Sequence, residues 1–250
     1  MKIAVSTLVV GERFEKLFEK FCLRSWEHYC RSHKYELFVF RKPFAVLEGK
    51  SFAWQKLLLL EQPALTGFDK IIWLDADIII ARNAPPLEVP AGKLGCVLET
   101  PFTGSIESWY RLFSLPPTRE IVQTGVLALE AAHRPIMQQA LAYPETGMYE
   151  MPALSWCISQ AGVTYQLDRR FNALLGTLML DYAPRWMVTN KLVKETLWQL
   201  HYPPLRRAVA DVCTQNWFIH AAGAKRDLSK ANQYLAHLDA NNARTAPHSP

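Results

Sequence analysis

The sequence predicts an α/β fold built on a mostly parallel sheet, and three observations carry that expectation. Short β-branched runs ("KIAVS", "YELFVF", "KIIWL") alternate with longer amphipathic stretches, and a β-α-β-α-β order places helices on both faces of a parallel sheet. The run "KIIWLDADIII", Lys70 to Ile80, drives Asp75 and Asp77 through an otherwise apolar segment. Half of the 250 residues are apolar in type, enough for one large domain or two small ones with a sizeable core.

The first strand runs from Lys2 to about Ser6, where the apolar run gives way to Ser6, Thr7 and then Gly11. A helix follows from Glu12 to about His33, because Phe14, Leu17, Phe18, Phe21, Cys22, Trp26, Tyr29 and Cys30 recur at helical spacing. Tyr35 to Phe40 is the second strand, "SFAWQKLLLLEQPAL" a helix stopped around Pro63, and "KIIWL" the third strand. Pro85, Pro86 and Pro90 mark a loop before two further strands, "KLGCVLE" and "IVQTGVLALE". Two helices ("AAHRPIMQQALAY", "MPALSWCISQAG") and a short strand ("VTYQL") come next. Residues 176–211, interrupted by Pro184, Pro203 and Pro204, read as an insertion; "VCTQNWFIHAAG" returns to a strand ending at His220, and Ala231 to Pro250 as a surface helix fraying into a tail.

A net charge of +5 is mild and suits an anionic ligand, an acidic membrane surface or nucleic acid without choosing among them. No helix-turn-helix, zinc-finger or aromatic RNA-binding signature is present, so nucleic acid is not the expected partner. Five scattered cysteines without a CxxC argue for a reducing, cytoplasmic compartment and for buried free thiols. No apolar run approaches the roughly 18 residues of a membrane span and the chain opens on a strand, so any membrane contact is expected to be peripheral.

The acidic run carries the chemistry. Burying an unpaired carboxylate costs several kcal/mol, and no Lys or Arg lies between Ile71 and Ala81. Residues two apart in a strand share a face at roughly 7 Å, so both carboxylates point to one place and invite a divalent cation. Ligands of open α/β sheets bind beyond the carboxyl ends of strands, where Ser6, Thr7, Asp75, Asp77 and His220 are all expected. Small residues follow His220 in "HAAGAK", where backbone can approach a ligand, and Lys225 suits phosphate oxygens. Two carboxylates and one imidazole favour Mn²⁺ or Mg²⁺ over zinc.

The ordered set "KIAVST", "SFAWQKLLLL", "KIIWLDADIII", "QTGVLALE", "EMPALSWCISQAG" and "FIHAAGAKRD" resembles the GT-A glycosyltransferases of the glycogenin-like, lipopolysaccharide galactosyltransferase-like and xyloglucan xylosyltransferase-like families, from about Lys2 to Lys225. The resemblance implies a Rossmann-like α/β/α sandwich in a single domain, residues 1–228, with 176–211 on the acceptor side and 229–250 as helix and tail. It implies hexose transfer, with retention, from a nucleotide diphosphate sugar, UDP favoured, to a saccharide or glycoconjugate. Asp75 would contact sugar or ribose and the metal; Asp77 and His220 would bind Mn²⁺ (or Mg²⁺); Gly223 and Lys225 would hold the diphosphate. Ser6 and Thr7 would lie at the nucleoside, and Lys56, or less readily Lys50, near the donor.

Two positions depart from the family pattern. Gln123 stands where Asn is usual, contacting the donor or merely packing. At the acidic helix, Glu150-Met151-Pro152 replaces a polar triplet, leaving Glu150 as nucleophile, base, acceptor-orienting carboxylate or simply a first-turn helix acid. Trp109, Trp186, Trp198 and Tyr202 are either an acceptor platform or core. The rival classes are a haloacid-dehalogenase-like phosphatase, whose first Asp attacks phosphate, and an inactive nucleotide-sugar-binding homologue.

Overall fold

The computed structural model describes residues 1–99, 120–145, 149–200, 202–222 and 228–236. Its strands are β1 (Ile3–Leu8), β2 (Glu36–Phe40), β3 (Lys70–Leu74), β4 (Ile78–Ile80), β5 (Leu94–Leu98), β6 (Val122–Leu129), β7 (Thr164–Gln166), β8 (Ala173–Leu174) and β9 (Phe218–His220). Its helices are α1 (Glu12–Phe21), α2 (Leu23–His33), α3 (Arg134–Leu141), α4 (Met151–Ala161), α5 (Leu175–Leu178), α6 (Arg185–Thr189), α7 (Lys191–Gln199) and α8 (Pro203–Gln215). These elements form two compact units. The first comprises Met1–Gly11, Cys30–Asp75 and Leu87–Arg169; the second comprises Glu12–Tyr29, Ala76–Pro86 and the described residues from Arg170 onward.

The first unit holds a six-stranded sheet in the order β2-β1-β3-β6-β5-β7. β1 runs parallel to β2 and β3, β7 parallel to β5, and β6 antiparallel to both β3 and β5, so β6 alone points the other way. Every residue of β1 and β3 is buried, which explains why these strands read as continuous apolar runs. Ala4 and Leu8 of β1 and Ile71 and Trp73 of β3 join one core with Trp54, Leu57 and Leu60, Leu127 and Leu129 of β6, Met137 and Ala140 of α3, and Leu154 and Ile158 of α4. Gly95 on β5 is there because the space is taken: an added Cβ would meet Val89 Cγ2 at 2.5 Å and Ala128 Cβ at 3.2 Å. Gly95→Ala is therefore expected to destabilise the protein by about 1–3 kcal/mol, read as a lower urea midpoint at unchanged m-value.

Two expectations for this unit change. β1 continues to Leu8, since the Thr7 and Leu8 backbones still pair with β2, and this buries both Ser6 and Thr7. The "SFAWQKLLLL" segment winds as a 3₁₀ helix, Phe52–Glu61, rather than an α-helix. Six of its ten residues are buried (Trp54, Gln55, Lys56, Leu57, Leu59, Leu60). With packing on so many sides, tertiary contact rather than helix propensity sets the winding.

The second unit holds a three-stranded sheet, β4-β9-β8, with Ile78 of antiparallel β4 and Leu174 of parallel β8 both opposite His220. β4 is an edge, and α2 side chains satisfy its outer groups: Trp26 Nε1 donates to the Ile78 carbonyl at 2.7 Å and the Ile80 N–H donates to Ser25 Oγ at 3.1 Å. The predicted single helix is broken at Cys22 into α1 and α2. Phe18, Cys22, Trp26 and Tyr29 form its buried stripe, while Phe14 is exposed and does not belong to it. The prolines read as interruptions instead start helices: Pro203 and Pro204 open α8, where a missing N–H costs nothing. "VCTQ" is the end of α8, not strand, because Leu205, Ala208, Val209, Val212 and Cys213 bury a helical stripe.

All five cysteines are free and buried, as the composition indicates. Burial pushes the Cys30, Cys96 and Cys213 thiols up to about 12, Cys96 with help from Glu120, and Cys157 up to about 11. The thiolate is the reactive form, so iodoacetamide at neutral pH is expected to label the folded chain slowly and all five sites rapidly in urea. Rapid labelling of the folded chain would contradict this packing. Among the described residues, no helix is long and apolar enough to cross a membrane.

Candidate functional site

In the first unit, β3 ends at Leu74 and delivers Asp75, whose N–H donates to the Gly125 carbonyl of β6 at 2.8 Å. The basic partner missing from the neighbouring sequence arrives from the 3₁₀ helix. Lys56 Nζ lies 3.0 Å from Asp75 Oδ1 and 2.9 Å from Glu150 Oε1, and donates to the Thr124 carbonyl at 3.2 Å. Thr124 Oγ1 donates to Glu150 Oε1 at 2.7 Å, and Trp73 Nε1 to Asp75 Oδ1 at 2.8 Å. Lys56 and Glu150 side chains are 4 % and 2 % exposed, whereas Asp75 keeps 28 %. Burial alone would lower the Lys56 pKa, but Asp75 and Glu150 overcome it and hold the ammonium above the ordinary lysine value. One cation between two carboxylates leaves this cluster with a formal charge of −1.

Glu150 takes the N-cap position of α4, yet its side chain makes no cap hydrogen bond. The carboxylate turns instead to Lys56 and Thr124. Its Oε2 is buried and has no hydrogen-bond partner among the described residues. A buried, orphaned carboxylate oxygen is an acceptor waiting for a donor.

In the second unit, Asp77 precedes β4 and its carbonyl accepts from the Ala221 N–H at 3.1 Å, just beyond β9. This backbone pairing brings His220 Nε2 to 3.2 Å from Asp77 Oδ1. On the other side of the ring, Nδ1 lies 2.9 Å from Asn172 Oδ1. His220 is 7 % exposed, so the ring is held from both sides in a nearly dry setting. Two oxygen and nitrogen donors at this separation match adjacent ligands of one cation with bonds of about 2.1 Å. Among the described residues, no three His, Cys, Asp or Glu side chains form a group that could hold a metal ion. The division between the units falls between Asp75 and Ala76, inside the Asp-x-Asp.

The remaining candidates are placed as follows. Ser6 and Thr7 lie inside β1 rather than at its end, both fully buried, with Ser6 Oγ donating to the Ile72 carbonyl at 3.3 Å. Gln123 is half-buried on β6 beside Thr124. Lys50 sits 3.7 Å over the Trp54 ring and donates to the Tyr143 carbonyl. Gly223, Lys225 and Trp109 lie outside the described residues. Trp198 is core and Trp186 is exposed. Sequence reasoning missed three partners: Thr124, Trp73 and Asn172. Thr124 and Trp73 stood inside quoted motifs, but nothing in their residue types announced a polar role; Asn172 had no signal at all.

A parallel-biased sheet whose third strand ends in an acidic pair, with a short second sheet closing on a histidine, is the GT-A glycosyltransferase fold. Solved structures with this fold to which the chain is similar include glycosyltransferases. One, involved in glycosylation of the major capsid of PBCV-1, superposes with a TM-score of 0.56 at 16 % identity, over 91 % of this chain and 98 % of that one. The galactosyltransferase LgtC, in complex with donor and acceptor sugar analogs, gives 0.51 at 14 % identity, over 93 % and 96 %. The glycosyltransferase GlyE of Streptococcus pneumoniae TIGR4 gives 0.50 at 11 % identity, over 97 % of this chain but 64 % of that longer one. No protein-family model matches this sequence, and no curated protein does.

Proposed function

We propose that this chain is a metal-dependent glycosyltransferase that moves a hexose from a nucleotide diphosphate sugar, a UDP-sugar before a GDP-sugar, to a saccharide or glycoconjugate acceptor with retention. The observation that carries the proposal is the Asp77 and His220 pair, two facing donor atoms on a fold otherwise found in glycosyltransferases. Asp77 and His220 would hold Mn²⁺ or Mg²⁺. The cation supplies Lewis-acid stabilisation of the negative charge that develops on the departing diphosphate.

The chain's own side chains divide the rest of the work. Lys56 fixes the Asp75 carboxylate through Oδ1, and Trp73 braces the same oxygen, so Asp75 reaches sugar or ribose in one rotamer. Glu150 is an orienting carboxylate, not a free nucleophile: Oε1 is committed to Lys56 and Thr124, and through Lys56 it holds Asp75 in place. Gln123, next to Thr124, contacts the donor sugar. Gly223 and Lys225, following His220 in sequence, take the diphosphate. Ser6 and Thr7 are buried in β1 and act on the nucleoside only through the shape of that strand.

Glu150→Gln keeps an acceptor oxygen for Lys56 and Thr124 but removes the charge. It is expected to lower kcat by ~10²-fold while UDP affinity in the presence of Mn²⁺ is unchanged, which calorimetry and donor turnover separate. Unaltered turnover in this variant would remove Glu150 from the transfer step. Equal loss of nucleotide binding and turnover would make it structural.

A further inference from the structure

Asn172 closes a 3₁₀ turn, Arg169–Asn172, immediately before β8. Two backbone links tie that turn to β9: Leu174 pairs with His220, and the Trp217 N–H donates to the Arg170 carbonyl at 3.0 Å. The Arg170 guanidinium lies 3.8 Å over the Trp217 ring and Phe171 packs against the same ring, so the turn is clamped to the strand that bears the histidine. Asn172 is itself buried, at 2 % exposure. Its amide oxygen is placed at 2.9 Å from His220 Nδ1.

An amide oxygen only accepts, so the Nδ1 that faces it carries a proton. In the neutral ring the lone pair then belongs to Nε2, the atom 3.2 Å from Asp77 Oδ1. With the ring doubly protonated the contact is an ion pair; with the neutral ring, Nε2 and Oδ1 are two acceptors that one cation can satisfy together. The arrangement is that of a metal-binding histidine whose second nitrogen is held by a neighbouring acceptor, the device that sets tautomer and ring orientation at metal centres generally.

We propose that Asn172 is the positioning residue of this site: it fixes His220 as the Nδ1–H tautomer and so presents the Nε2 lone pair, beside Asp77, to a divalent cation. The inference rests on the metal-dependent function above. It adds that a buried amide elsewhere in the chain sets the strength of metal binding.

Two measurements on the 250-residue chain test it. Manganese titrations followed by electron paramagnetic resonance give the Mn²⁺ affinity. Long-range proton–nitrogen correlation of the His220 ring, without metal at about pH 8 where an ordinary imidazole is neutral, gives the tautomer. The wild-type ring is expected as Nδ1–H. Asn172→Leu is expected to weaken Mn²⁺ binding by about 10–100-fold and to lose the tautomer preference, whereas Asn172→Asp, which keeps the acceptor oxygen, retains both. A wild-type ring protonated at Nε2 overturns the assignment with no variant needed, as does wild-type Mn²⁺ affinity in a folded Asn172→Leu. Both leave metal dependence itself standing. A wild-type chain that binds no Mn²⁺ removes metal dependence and this role together.

Discussion

Asp77→Asn and His220→Ala are each expected to lower Mn²⁺-dependent turnover by at least ~10²–10³-fold while the chain still folds. The size follows from what a cation does in glycosyl transfer: it meets the charge of the departing diphosphate, worth several kcal/mol in a dry site. The Asp77 backbone carbonyl, not its side chain, makes the 3.1 Å hydrogen bond that ties it to Ala221, so the isosteric Asn leaves that link intact. His220 is buried on β9, and Ala there opens a cavity; His220→Gln, closer in size, separates a stability effect from a metal effect. Asp75→Asn is expected to impair turnover as well, and it also weakens the Lys56 cluster. Near-normal turnover in Asp77→Asn would remove the metal assignment, and with it the reason for the facing donor atoms.

Lys56→Met is expected to cost about 3–5 kcal/mol of stability, because it leaves the Glu150 carboxylate buried with Thr124 as its one remaining donor among those described. Both side chains are nearly inaccessible, so water cannot replace the ammonium. Removing both charges should recover much of the loss: the double variant Lys56→Met, Glu150→Gln is expected to be more stable than Lys56→Met alone, a coupling that urea unfolding reads directly. The pH behaviour has a definite sign. Lys56 is held above the ordinary lysine value, so its contribution is fully present below that value and fades only as pH rises through the folded one. Stability from this cluster should therefore be flat through neutral pH and fall only in strong alkali. A Lys56→Met protein within about 1 kcal/mol of wild type would mean that the buried ion pair is not there.

These two clusters show what the sequence alone made legible. The continuous apolar runs of β1 and β3, the acidic pair and the distant histidine are visible because burial and charge are in conflict along the chain itself. The charge of Asp75 is met by Lys56, nineteen residues upstream, which the sequence offered only as a basic residue near the donor. The winding of Phe52–Glu61 was not legible, because an all-round apolar segment has no period to read and its contacts decide its pitch. Nor was the role of Asn172: a single amide carries no motif, and only the pairing of β8 with β9 brings it to the histidine ring. The prolines at 203 and 204 misled because proline interrupts a helix inside but suits its first turn.

Donor hydrolysis tests the central claim most directly, since slow transfer of sugar to water requires no knowledge of the acceptor. Purified protein incubated with a panel of UDP- and GDP-sugars is expected to release nucleoside diphosphate from one of them when Mn²⁺ is present. That release should disappear with chelator and in Asp77→Asn. No hydrolysis of any nucleotide sugar and no binding of UDP or GDP with Mn²⁺, or release of phosphate from simple phosphomonoesters instead, would contradict it.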